Sequence, residues 1–153
     1  MKQTLQPKNH HGGVAIAKWF RWPIAAFYAY GAFVHIANMM GWTGIDWPNA
    51  PLKWQVLDVD YLVIDCMVVW GMIFHPRIGV IAFLIAAMSQ LVLYTVLRQW
   101  ILDVPAEFAP TPDEASYLTT LVTFHLATLL IVGAALLWGN RGGPKHVQYE
   151  ERS

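Results

Sequence analysis

Apolar residues run along this chain in four stretches, residues 23–41, 61–74, 79–97 and 117–138, separated by segments rich in polar residues, tryptophan and proline. A helix that crosses a bilayer needs about 20 mostly apolar residues. Three of the stretches reach that length, and the second does so once residues 57–60 and His75 are added at headgroup level. The pattern predicts an all-α polytopic membrane protein, an antiparallel bundle of four transmembrane helices with spans at about 22–42, 58–75, 78–98 and 116–138. The whole of 1–153 reads as one domain, with polar cytoplasmic tails at 1–13 and 140–153.

Boundary chemistry fits these limits. Pro23 follows Arg21-Trp22, where a missing N–H costs nothing, and Pro112-Asp113-Glu114 puts acids ahead of the positive end of the fourth helix. His75-Pro76-Arg77 is so short a link that the second and third helices must be antiparallel neighbours. The other two links, 42–60 and 100–116, are long and carry Trp42, Trp47, Trp54, Pro48, Pro51, Pro105 and Pro110. They read as structured caps or docking surfaces, while Trp19, Trp22, Trp42, Trp100 and Trp138 read as interfacial anchors.

Composition removes the soluble alternative: 56% hydrophobic and 13% charged residues leave too little polar surface to cover a soluble domain. The formal net charge of zero hides an asymmetry. Lys2, Lys8, Lys18, Arg21, Arg77, Arg141, Lys145 and Arg152 fall on the side of both termini, against Lys53 and Arg98 opposite. Basic residues collect in cytoplasmic loops, so the expected location is the plasma (inner) membrane with both termini cytoplasmic. No cleavable signal pattern precedes the first span, and the lone Cys66 reads as a small packing residue.

Polar residues inside the apolar stretches are the candidate chemistry. Counting about 1.5 Å per residue from the span ends places His35, Gln90 and His125 roughly 10–12 Å deep and Asp65 roughly 6 Å deep, in the outer half of the fold. Helical spacing puts Tyr28, Gly31, His35 and Asn38 on one face and Asp58, Tyr61 and Asp65 on another, with Ala86, Ala87 and Tyr94 around Gln90 and Thr128 beside His125. Ionisable residues within spans face the interior or a watery cavity. His35, His125, Asp65, Gln90, Tyr61 and Asn38 are therefore the candidate binding residues. The structural alternative is that they only bridge helices, each bond contributing about 0.6 to 2 kcal/mol.

Several chemistries remain open. His35 and His125 are a candidate pair of ligands for a haem b iron, or for copper with Met39 or Met40. His35, Asp65 and Tyr61 suit a quinone-like ligand that exchanges protons near neutral pH. A protein without any cofactor is also consistent with the residues. Nucleophile, nucleotide and zinc-protease motifs are absent from the sequence, and the few basic residues form no nucleic-acid patch. Small size and aromatic loops point to a non-catalytic subunit of a larger membrane complex, respiratory or otherwise redox, with other membrane subunits or further copies of itself as partners. Alternatives are a purely structural or assembly subunit and a small proton- or cation-coupled transporter.

Overall fold

The structure is a computed structural model that describes residues 18–139. The tails expected at 1–13 and 140–153, with most of the basic residues that set the orientation, lie outside the described residues. Among those described, all regular structure is helical. Helix α1 spans Lys18–Met39, α2 Leu52–Phe74, α3 Pro76–Tyr94, the short α4 Arg98–Leu102, and α5 Pro112–Gly139. By length and composition α3 and the Pro112–Ala135 part of α5 can each cross a membrane.

Each end has a local cause. Helix α1 stops because Gly41, at φ 72°, reverses the chain: its N–H donates to the Asn38 carbonyl and that of Trp42 to the Ala37 carbonyl, the paired closure of a glycine C-cap. Helices α2 and α3 are separated by His75 alone, with Pro76 supplying a pre-set φ at the first position of α3. Such a short link forces a close crossing. A Cβ on Gly71 would fall 2.5 Å from the Gly79 Cα, and one on Gly79 would meet the Gly71 carbonyl carbon and the Met72 backbone.

Helix α5 opens with a reciprocal cap. The Thr111 N–H donates to Glu114 Oε2 at 2.7 Å, and the Glu114 N–H donates to Thr111 Oγ1 at 3.4 Å. Thr111→Ala is expected to cost about 1 kcal/mol. A thermal melt in detergent checks this, and an unchanged midpoint would show that the cap carries no weight.

These ends differ from the sequence limits in informative ways. Pro23 lies inside α1. At the sixth residue its missing N–H leaves only one first-turn carbonyl without its usual donor, so the helix starts before it. Helix α2 begins at Leu52, inside the expected loop, because its first turns hold α4. Lys53 Nζ donates to the carbonyls of Trp100 and Asp103 (2.6 Å for the latter), and Trp54 Nε1 donates to the Ile101 carbonyl at 2.9 Å. A cation at a helix C-terminus meets both free carbonyls and the negative end of the dipole. Cys66 is exposed, so it is not the packing residue the sequence suggested.

Helix α1 packs against α2, α2 against α3, and α3 against α5. Phe27 of α1 stacks on Phe124 of α5, with ring centroids 3.6 Å apart, which brings the first and last helices into contact. The main core gathers Ile24, Tyr28, Val68, Met72, Phe83 and Val132. Polarity is inverted around it. Asp65, Gln90, His125 and Thr128 are buried, whereas α2 exposes Val59, Val63, Met67, Trp70 and Phe74 along one stripe and α3 exposes Ile78, Ile81, Ile85 and Met88.

Candidate functional site

The site is built around Asp58, in the second turn of α2. Its Oδ1 accepts from His35 Nδ1 at 2.7 Å and from Asn38 Nδ2 at 3.2 Å, and its Oδ2 accepts from Trp47 Nε1 at 3.0 Å. Positioning follows from local structure. His35 and Asn38 are three residues apart on α1 and share a face, and Trp47 opens a 3-10 turn, Trp47–Asn49, in the link between α1 and α2. Three donors from two further segments therefore converge on one carboxylate.

Two turns along α2 stands Asp65, 2% exposed. Its Oδ2 lies 3.9 Å from His35 Nε2, so the imidazole is held between two carboxylates. Gly31, one turn from His35, makes the approach possible, because a Cβ there would collide with Asp65 Oδ2. The arrangement has a protonic consequence. Nδ1 carries the proton given to Asp58, so a neutral His35 would turn its Nε2 lone pair toward a carboxylate oxygen, a repulsive contact. One further proton, on Nε2 or on Asp65, turns that contact into attraction.

Tyr61 flanks this centre. Its ring is nearly parallel to that of His35, at 15° with centroids 6.1 Å apart, and its hydroxyl donates to Ser89 Oγ of α3 at 3.4 Å. Of the residues singled out from sequence, His35, Asn38, Tyr61 and Asp65 thus lie together. Gln90 is buried on α3, but no hydrogen bond joins it to His35 or Asp65.

His125 lies elsewhere. It is 0% exposed, and its ring contacts Phe27, Tyr28 and Phe124 edge-on. Its Nδ1 donates to the Leu121 carbonyl at 2.6 Å, which leaves Nε2 as the acceptor of the neutral ring. Because it packs at the level of Tyr28, seven residues before His35 on α1, the two histidines are staggered by about 10 Å along the helix axis. A single layer therefore does not form: His125 lies thirteen residues after the start of α5, while His35 is four before the end of α1. A stagger of that size does not present both imidazoles to one iron, and among the described residues no cluster of three His, Cys, Asp or Glu side chains has metal-binding geometry.

Asp58 and Tyr28, though placed on the two polar faces, and Trp47 were not among the candidate binding residues chosen from sequence. The spacing of Asp58, Tyr61 and Asp65 on one face was the available signal for Asp58; nothing in the sequence pairs Trp47 with it. No protein-family profile, curated protein or solved structure matches the chain.

Proposed function

We propose that this chain is a four-span integral membrane protein, crossing the plasma (inner) membrane through α1, α2, α3 and α5 with both termini cytoplasmic. It works as a small subunit of a larger redox complex, and its His35–Asp58–Asp65 site exchanges a proton with a quinone-like headgroup. The inverted polarity supports the membrane placement: apolar stripes face outward while Asp65 and His125 are buried. In this orientation the α4 end faces outward, and Arg21, which donates to the Met72 carbonyl at 3.3 Å, marks the cytoplasmic end.

The observation that carries the chemistry is His35 held between Asp58 and Asp65. An imidazole in that position takes a proton at one nitrogen and releases one from the other, which joins the shallower carboxylate to the buried one. A quinone-like headgroup suits the site because it is planar and its carbonyl oxygens accept hydrogen bonds before protons. The parallel rings of His35 and Tyr61 offer a surface for such a headgroup to stack on. A haem ligated by His35 and His125 is the weaker reading, given the stagger between them. The long exposed links and α4 supply surface for partner subunits.

Gentle extraction from native membranes tests this. The expected result is co-purification with partner subunits and bound quinone, with the quinone lost in Asp65→Asn and His35→Gln while the complex persists. A stable, partner-free protein carrying no quinone would end this reading.

A further inference from the structure

Besides Arg21 Nε near the start of α1, three buried polar atoms have no hydrogen-bond partner within the protein: Asp65 Oδ1, Tyr28 Oη and His125 Nε2. Their residues are almost completely enclosed. Buried polar groups are nearly always paired, so three in one region call for an occupant. They also form a sequence in space. The Asp65 carboxylate lies over Gly31, Tyr28 is the next turn of the same α1 face, and its ring centroid is 6.1 Å from that of His125. From Asn38 to Tyr28 the file runs about 15 Å along the axis.

The file ends abruptly. Toward the cytoplasmic end Ile24, Ala25, Val68, Met72, Val80 and Phe83 close the interior with apolar side chains. Helix α3, packed against α5, has no ionisable residue between Arg77 and Tyr94 and contributes Gln90 as its buried polar group. On α5 the Thr128 hydroxyl is occupied by the Phe124 and His125 carbonyls. The ionisable groups along the file are thus Asp58, His35, Tyr61, Asp65, Tyr28 and His125, with Tyr94 of α3 packed beside Tyr61.

We propose that Asp65, Tyr28 and His125 are the closed inner end of a proton half-channel entered at Asp58, so that protons from the outer side reach His125 and go no further. The inference rests on the membrane placement above and is independent of the quinone. Starting from the His35 tautomer that carries its proton on Nε2, one proton enters on Asp58 and arrives at the free Nδ1 while the Nε2 proton passes to Asp65, which leaves the ring with Nδ1–H toward Asp58 as in the structure. Tyr28 then passes its hydroxyl proton to His125 Nε2 and is re-protonated from Asp65. The end state is a His125 imidazolium opposite an Asp65 carboxylate, with one proton taken from the outer side. The 3.9 Å gap between His35 and Asp65 closes by a small ring swing or through one water.

The test uses the full chain with ¹⁵N-labelled histidine, inserted in one orientation into zwitterionic vesicles that enclose a pH dye. The His125 signal is assigned by its loss in His125→Gln. Lowering the external pH at fixed internal pH is expected to protonate His125 without changing the dye. Tyr28→Phe is expected to slow that response roughly tenfold, the factor carried by one hydrogen-bonded link, while His35 responds as before. Asp65→Asn is expected to abolish it, which keeps the test decisive if Tyr28→Phe fails to fold. A His125 signal blind to external pH, one that follows internal pH, or a dye that reports protons crossing would each overturn the proposal. A quinone-free preparation would sink the redox assignment and leave this result standing, whereas a silent His125 would do the reverse.

Discussion

Gly79→Ala is expected to unfold or badly loosen the α2–α3 hairpin, at a cost of about 3 kcal/mol or more. The added methyl carbon would lie 2.5 Å from the Gly71 carbonyl carbon and 2.8 Å from the Met72 Cα. Backbone atoms cannot rotate away as a flexible side chain can, so the helices must separate. The one-residue link at His75 gives them no slack, and every contact near the hairpin feels the shift. Met72, Val80 and Phe83 of the main core lie within a few turns of the crossing. Gly133→Ala is the matched control, since a Cβ there meets nothing within 4 Å. Denaturant-induced unfolding of both variants in mild detergent settles the matter, and equal midpoints would show that the close crossing is not required.

The second large effect is expected at Asp58. Asp58→Ala strands His35 Nδ1, Asn38 Nδ2 and Trp47 Nε1 together, in a partly buried place where water replaces a carboxylate imperfectly. The loss is expected to be about 3 kcal/mol or more, larger than for an ordinary exposed acid, because three donors from two segments lose the one acceptor that joins them. Asp60, the neighbouring exposed carboxylate, makes no such bonds, so Asp60→Ala is expected to leave the unfolding midpoint within about 0.5 kcal/mol of the parent. Equal effects at the two positions would remove Asp58 from the centre of the site.

The long helices were legible in the sequence because apolar runs of this length have few other solutions, and the α2–α3 hairpin because Pro76 follows so closely on the second run. Helix ends were less legible, for an identifiable reason. Hydropathy marks where side chains become apolar, whereas a helix continues as long as its backbone bonds are satisfied. Helix α2 carries Lys53 and Trp54 on turns that hydropathy assigns to a loop, since those turns are stabilised by α4. The sequence likewise gives no sign that Arg98–Leu102 is helical, because this single turn depends on Lys53 and Trp54 from a distant segment.

The site was partly legible for a related reason. His35, Asp65, Tyr61 and Asn38 are separated by helical spacings, and such spacings survive errors in where the helix begins. Depth does not. Counting from the apolar limits put His125 level with His35, but the extra turn of α5 before residue 116 and the early end of α1 stagger them. Asp58 was read on the face of Tyr61 and Asp65 but at the very end of its span, where nothing in the sequence marks it as the carboxylate that organises the others. Tyr28 was recognised only as a member of the His35 stripe, because a phenol among aromatics gives no sign in sequence that its hydroxyl lacks a partner.

The attachment of α4 has a consequence for how this molecule tolerates change. Lys53 and Trp54 grip main-chain oxygens, those of Trp100, Ile101 and Asp103, and every amino acid supplies such an oxygen. The exposed side chains along that short helix can therefore be exchanged without loosening this grip, whereas the buried Ile101 and the two residues that do the gripping cannot. Variation at this end of the bundle should accordingly be lopsided, generous at the exposed positions of the held segment and strict on the helix that holds it.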